Sequence, residues 1–179
     1  FSARQDHSSV VYNGKMWVIG GIGAADVLNN DLWWSEDGVT WNQATAAANF
    51  SARQAHSSVV HNGKMWVIGG RSNTGVIKND VWWSEDGVTW IQATAAADFT
   101  ARDSHESVVY KGRMWVIDGS ITSSKGVWWS ENGVTWVLAT DSPAYGGCVR
   151  HSAVVYNDKM WIIAGTREYN KKCDIWYAE

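Results

Sequence analysis

No run of apolar residues in this sequence approaches the roughly 18 that a bilayer-spanning helix needs, and no signal-peptide pattern opens the chain at Phe1. Charge of one sign is scarce too: the formal net charge is -3, with acidic and basic residues interspersed. That leaves no basic stripe for nucleic acid and no polybasic patch for a membrane surface, so neither partner is expected. No segment has a helical period, and a phosphate-binding loop, a paired-cysteine metal motif and a nucleophile elbow are all missing. Enzyme chemistry is not visible, and no cofactor is expected. The first residue is not methionine, which suggests a processed or excised segment.

What the chain has instead is tryptophan: fourteen, against three phenylalanines and one proline, with 45% of all residues apolar. The tryptophans recur at fixed places, so they are read first as architecture. The stretch from His7 to Gly21 returns as His56 to Gly70, His105 to Gly119 and His151 to Gly165. Residues 1–49 and 50–98 match at roughly three positions in four, at a period of about 49 residues. A shortened third copy covers 99–140, and a more divergent fourth covers 141–179.

Each complete copy predicts four short strands, in the first copy Ser9 to Tyr12, Met16 to Ile19, Asp31 to Ser35 and Thr40 to Ala44. Asn13-Gly14 supplies the positive φ values of a two-residue hairpin, and Gly20-Gly21 marks a sharp strand exit. A second turn, Ser35-Glu-Asp-Gly-Val-Thr-Trp41, recurs as Ser84 to Trp90 and Ser130 to Trp136. The links 44–50 and 93–99 are too short for a stable helix and read as connections.

Four-stranded antiparallel units at this period resemble the kelch-repeat β-propeller family. The resemblance rests on Arg4 and His7, Arg53 and His56, Arg102 and His105, Arg150-His151, the pairs Gly20-Gly21 and Gly69-Gly70, and Trp41, Trp90 and Trp136. Asp118-Gly119 and Ala164-Gly165 depart from the diglycine. The implied fold is an all-β, kelch-like propeller, here of four repeats where the resemblance implies six or seven blades, so that a four-blade ring, half of a two-chain ring and a fragment of a longer propeller all stay open. The Ser-x-Asp-Gly-x-x-Trp turns are also similar to the Asp-box of sialidases, which implies a structural hairpin and no catalytic residue.

The topology of a blade places the link before strand one and the link between strands two and three on the same face. The second of these links varies among copies (22–29, 71–78, 120–125 and 166–172) while the strands stay constant. Recognition carried on loops of a rigid scaffold behaves this way. The expected function is therefore a non-enzymatic binding module for a carbohydrate or a protein, with Arg4, Arg53, Arg102, Arg71, Arg167 and Tyr169 as ligand-binding candidates. Two readings stay open for the arginines before strand one: cross-links between blades, or guanidinium forks for a carboxylate or phosphate. The repeated histidines point to a local task in every blade more than to a metal site. Adjacent pairs such as Trp33-Trp34 point to opposite faces of a strand, where packing between blades would bury both rings. Two alternatives remain open. One is a sugar-processing enzyme, implied by a resemblance to sialic-acid mutarotases or to sialidases, for which Tyr145 with Glu168 or Glu106 are available. The other is a structural or assembly segment of a larger propeller.

Cys148 precedes strand one of the last copy and Cys173 precedes its third, so the two are placed to form a disulfide. That pairing, together with the acceptor pattern Asn49-Phe50-Ser51, predicts an extracellular or periplasmic setting. The last copy stops at its third strand, Asp174 to Tyr177, which predicts an open edge near Trp176. A homo-oligomeric partner or a missing propeller segment is expected to pair there.

Overall fold

The computed structural model describes residues 1–119, 126–141, 143, 148–166 and 175–178. The first sheet runs β1 (Ser8–Tyr12), β2 (Lys15–Ile22), β3 (Leu28–Ser35), β4 (Asn42–Thr45). In the second, β5 (Arg53–Gln54) and β6 (Ser57–His61) both pair with β7 (Lys64–Ser72), which is followed by β8 (Ile77–Ser84) and β9 (Ile91–Thr94). The third is β10 (Glu106–Tyr110), β11 (Arg113–Ile117), β12 (Val127–Ser130) and β13 (Val137–Thr140). The fourth has three strands, β14 (Ser152–Tyr156), β15 (Lys159–Ile163) and β16 (Trp176–Ala178). All pairings are antiparallel, and a 3-10 turn at Ala24–Asp26 is the sole helical element among the described residues. The molecule is an all-β, four-blade propeller.

The turns form for the local reasons their residues imply. Asn13 and Gly14 have φ 49° and 71°, and the third copy repeats this with Lys111 at 48° and Gly112 at 70°. Left-handed backbone also persists where the diglycine is lost, at Asp118 (51°) and Ala164 (59°). In the second turn the Ser35 hydroxyl accepts from the N–H groups of Asp37 and Gly38. Asp37 Oδ1 accepts from Val39 and Thr40 at 2.8 and 2.7 Å. Those backbone donors, Thr40 foremost, hold its carboxyl at about 2. Thr40 and Trp41 accordingly belong to the turn, and the outer strand begins at Asn42, two residues later than the alternating pattern suggests.

Blades meet face to face, and each seam is a core. Trp17, Ile19 and Leu32 of blade 1 pack on Phe50, Met65, Val67 and Trp90 of blade 2. Trp66, Ile68 and Val81 do the same against Phe99, Met114, Val116 and Trp136. Edge-to-face ring pairs seal both seams, Phe50 with Trp90 at 5.1 Å and Phe99 with Trp136 at 5.0 Å. Such pairs contribute about 0.5–1.5 kcal/mol beyond their burial. The adjacent tryptophans are only half-buried, a correction to the expectation that both rings are enclosed. A strand-two cation caps the outer ring instead, with Lys15 Nζ 3.6 Å above Trp34 and Lys64 Nζ 3.4 Å above Trp83.

Contacts between inner strands run from β1 to β6, β6 to β10 and β10 to β14, but β14 and β1 make no comparable contact. Val11 on the free face of blade 1 is 70% exposed and Tyr156 on that of blade 4 is 65% exposed. Among the described residues, three seams between blades are packed.

Candidate functional site

The entries of the first three blades each carry an arginine whose head is spent inside the blade. Arg4 Nη1 donates to Gly20 O at 2.9 Å, and the guanidinium grips both oxygens of Asp31 at 2.6 and 3.1 Å. Arg53 repeats this with Gly69 O and Asp80. In blade 3 the carboxylate has changed places: Asp118 stands where Gly20 and Gly69 stand, and Gly126 where Asp31 and Asp80 stand. Arg102 Nη1 now donates to Asp118 O and Gly126 O at 2.8 and 3.0 Å, and burial lowers its pKa to about 10. The side chains of Arg4, Arg53 and Arg102 are 1%, 0% and 0% exposed. These three are clamps between a blade's entry and its own second and third strands, structural as one of the two readings has it but within a blade and not across blades.

Two of the repeated histidines, His56 and His105, are rungs between blades. His56 Nε2 lies 2.8 Å from Ser8 Oγ, and His105 Nε2 lies 2.8 Å from Ser57 Oγ. Burial drives the pKa of His56 down to about 3 and that of His151 to about 4, so both are neutral at physiological pH. Among the described residues no group of three or more His, Cys, Asp or Glu is placed to hold a metal ion.

Just inside the clamps lies a rim that the sequence reading missed. Asp6, Ala55, Ser104 and Arg150 each have φ 53°, and they link blade to blade through backbone bonds. Ala55 N donates to Asp6 O at 2.8 Å, Ser104 N to Ala55 O at 2.8 Å, and Arg150 N to Ser104 O at 3.4 Å. Arg150 is therefore the counterpart of Asp6 and not of Arg4, a correction to the motif-based pairing. Cys148 holds the clamp position in blade 4. The rim borders a cleft of about 240 Å³ with Gln54, Arg71, Asp103 and Thr166 also on its wall. Arg71 Nε donates to Asp103 Oδ2 at 2.6 Å, and its side chain remains 41% exposed. Asp103 is 2% exposed, and its Oδ1 has no hydrogen-bond partner. Arg150 is exposed, and its guanidinium makes no hydrogen bond or ion pair among the described residues.

The cleft opens on the face predicted to carry recognition, since both sets of links contribute to it. Of the ligand-binding candidates it gathers Arg71 alone. Arg167 and Tyr169 lie outside the described residues, as do Tyr145, Glu168 and Cys173. Asp103 and Arg150 did carry a signal: beside an unvarying histidine, their repeat positions read Gln5, Gln54, Asp103, Val149 and Asp6, Ala55, Ser104, Arg150. Variation at fixed rim positions is what a binding surface shows. Cys148 is buried and disulfide-bonded. Asn49, of the glycan acceptor pattern, is exposed and accepts from Trp90 N at 3.1 Å.

Comparison with known proteins agrees with this geometry. No curated protein matches the chain in a sequence comparison. Among solved structures, the one titled "Structure of YjhT" superposes with a TM-score of 0.74 at 16% identity, covering 90% of this chain. The match takes in 59% of that protein, so the present chain spans less than two thirds of its length. The model of the KLHDC2/KLHL20/DRC7 Kelch-repeats domain matches residues 1–142. With its paired blades, Arg clamps and His rungs, the chain belongs to the Kelch-repeat family.

Proposed function

We propose that this chain is a non-enzymatic binding module that takes an acidic group of a protein or carbohydrate ligand in the cleft beside Arg71 and Arg150. The observation that carries the reading is the Arg150 guanidinium, exposed on the rim and unbonded, across the same cleft as Arg71. Two planar forks in one concavity suit a carboxylate or phosphate. Asp103 Oδ1, buried in the same wall without a partner, would accept a hydroxyl or amide proton from the ligand. Kelch propellers are typically protein-binding modules, which favours a protein ligand. Arg4, Arg53 and Arg102 have no part in this reading, because their heads are enclosed and bonded. An extracellular or periplasmic setting goes with it, on the strength of the Cys148 disulfide.

The test is titration of the chain against acidic peptides and acidic glycans, with product formation followed alongside binding. Arg71→Ala and Arg150→Ala should each weaken binding by about ten-fold or more while leaving the unfolding midpoint in place. Unchanged affinity in both variants would overturn the assignment, and turnover of a glycan would favour the sugar-processing alternative.

A further inference from the structure

The rim cleft carries an acid that its arginines alone do not explain. Among the described residues the charged side chains on its wall are Asp6, Arg71, Asp103 and Arg150, two of each sign. Asp6 is exposed, so water screens it, whereas Asp103 is 2% exposed and acts through protein. Asp103 Oδ2 accepts from Arg71 Nε at 2.6 Å, and Oδ1 has no hydrogen-bond partner. The neighbouring Arg102 has its own counter-charge in Asp118. The fold does not ask for a charge at this place. The counterparts of Asp103 in the other blades are Gln5, Gln54 and Val149, and all three pair with the second strand or its extension through the backbone. Arg71 in turn stands where blades 1 and 4 have Ile22 and Thr166.

We propose that Asp103 sets the class of acid this cleft takes, admitting a singly charged carboxylate and refusing a doubly charged phosphate monoester. The inference rests on the reading of the cleft as an acid-binding site. Among the described residues the bond to Asp103 uses only Nε of Arg71, so both Nη groups are left for a ligand. Two coplanar carboxylate oxygens match that edge of the guanidinium. One carboxylate adds a single negative charge to a wall whose own charges balance. A phosphate monoester adds nearly two, and its oxygens bring no proton to offset the buried Asp103 carboxylate. Coulomb energy is proportional to the ligand's charge, so the repulsion from Asp103 is about twice as large for the dianion as for the monoanion.

The full chain is titrated at pH 8 and constant ionic strength with acetate and, separately, with methyl phosphate, and the amide resonances of Arg71, Asp103 and Arg150 are followed by NMR. Acetate is expected to shift them saturably, and methyl phosphate to bind about ten-fold more weakly or worse. Asp103→Asn keeps the oxygen that accepts from Arg71 and removes the charge. It should tighten methyl phosphate by about the square of the factor by which it tightens acetate, on the order of nine-fold against three-fold. Asp103→Gln, which installs the residue of blades 1 and 2, should give the same pattern and serves if the first variant does not fold. Equal tightening of both anions, or a wild-type chain that prefers methyl phosphate, would overturn the selectivity and leave the cleft an acid-binding site. Saturable shifts with neither anion would overturn both readings. Failure of both variants to fold would assign Asp103 to the fold and overturn the selectivity as well.

Discussion

Arg53 holds Asp80 through two parallel bonds, Nη1 to Oδ1 at 2.8 Å and Nη2 to Oδ2 at 2.9 Å, with a guanidinium that water does not reach. The third donation, to Gly69 O at 2.8 Å, ties the pair to the strand exit, so one side chain joins three separate segments. Asp80 shows the balance: burial alone would raise its pKa, yet bonds from Arg53 and Trp82 leave it lowered. Arg53→Ala should therefore cost about 3–5 kcal/mol, as expected when one partner of a buried pair is removed. Arg53→Lys should recover little, since an ammonium cannot match the fork. Urea unfolding followed by tryptophan fluorescence measures both. Near-wild-type stability in Arg53→Ala would mean that the clamp contributes nothing.

Two buried groups pull the pH dependence in opposite directions. His56 is depressed to about 3 by burial, so the unfolded chain takes up a proton that the folded one refuses. Stability is lost as pH falls from the ordinary histidine value, near 6.5, towards 3. Glu106 occupies the repeat position of Ser8 and Ser57, and burial raises it to about 7. Its stabilising contribution is complete below the ordinary glutamate value near 4.5 and disappears as pH rises through 7. Glu106→Ser, which restores the residue of the sibling blades, should remove the alkaline loss, a gain on the order of 2 kcal/mol at pH 8. Thermal unfolding of both proteins from pH 4 to 9 would show the curves separating from about pH 4.5 upward and running parallel above about pH 7.

The glycines of the outer turns are contact surfaces. A Cβ on Gly133 would run into the Trp66 ring, and its φ of 74° is left-handed as well. Gly133→Ala should cost about 2–4 kcal/mol, combining the backbone penalty with overpacking. Gly75→Ala has open space at a similar φ of 76° and should cost about 1–2 kcal/mol, the backbone part alone. Equal losses in the two variants would remove the ring contact from the account.

Cys148 stands three residues before His151, as Arg53 stands three before His56. In sequence register Cys173 lies beside Asp174, which corresponds to Asp80. A covalent bond between the two would take over the clamp's work in blade 4. Closing a loop of about 25 residues is worth roughly 3 kcal/mol. Reduction, or Cys148→Ser, should lower the unfolding midpoint and speed exchange at Ile162 and Trp176. An unchanged midpoint on reduction would argue against a structural role.

The strands, hairpins and blade repeat were legible in the sequence because their causes are local. Side-chain alternation has a period of two, and Asn13-Gly14 or Asp37-Gly38 accepts its turn wherever it is placed. What each arginine does was not legible. Sequence alone makes Arg4, Arg53 and Arg102 ligand candidates, yet their partners are contributed by segments 16 to 27 residues further on, and burial closes the question. Arg150 resembles them in type but stands two residues later in the repeat, which turns it from clamp to rim. Only the packed blades decide which guanidinium is enclosed and which faces the cleft, because exposure is set by the neighbouring blade and not by the residue itself.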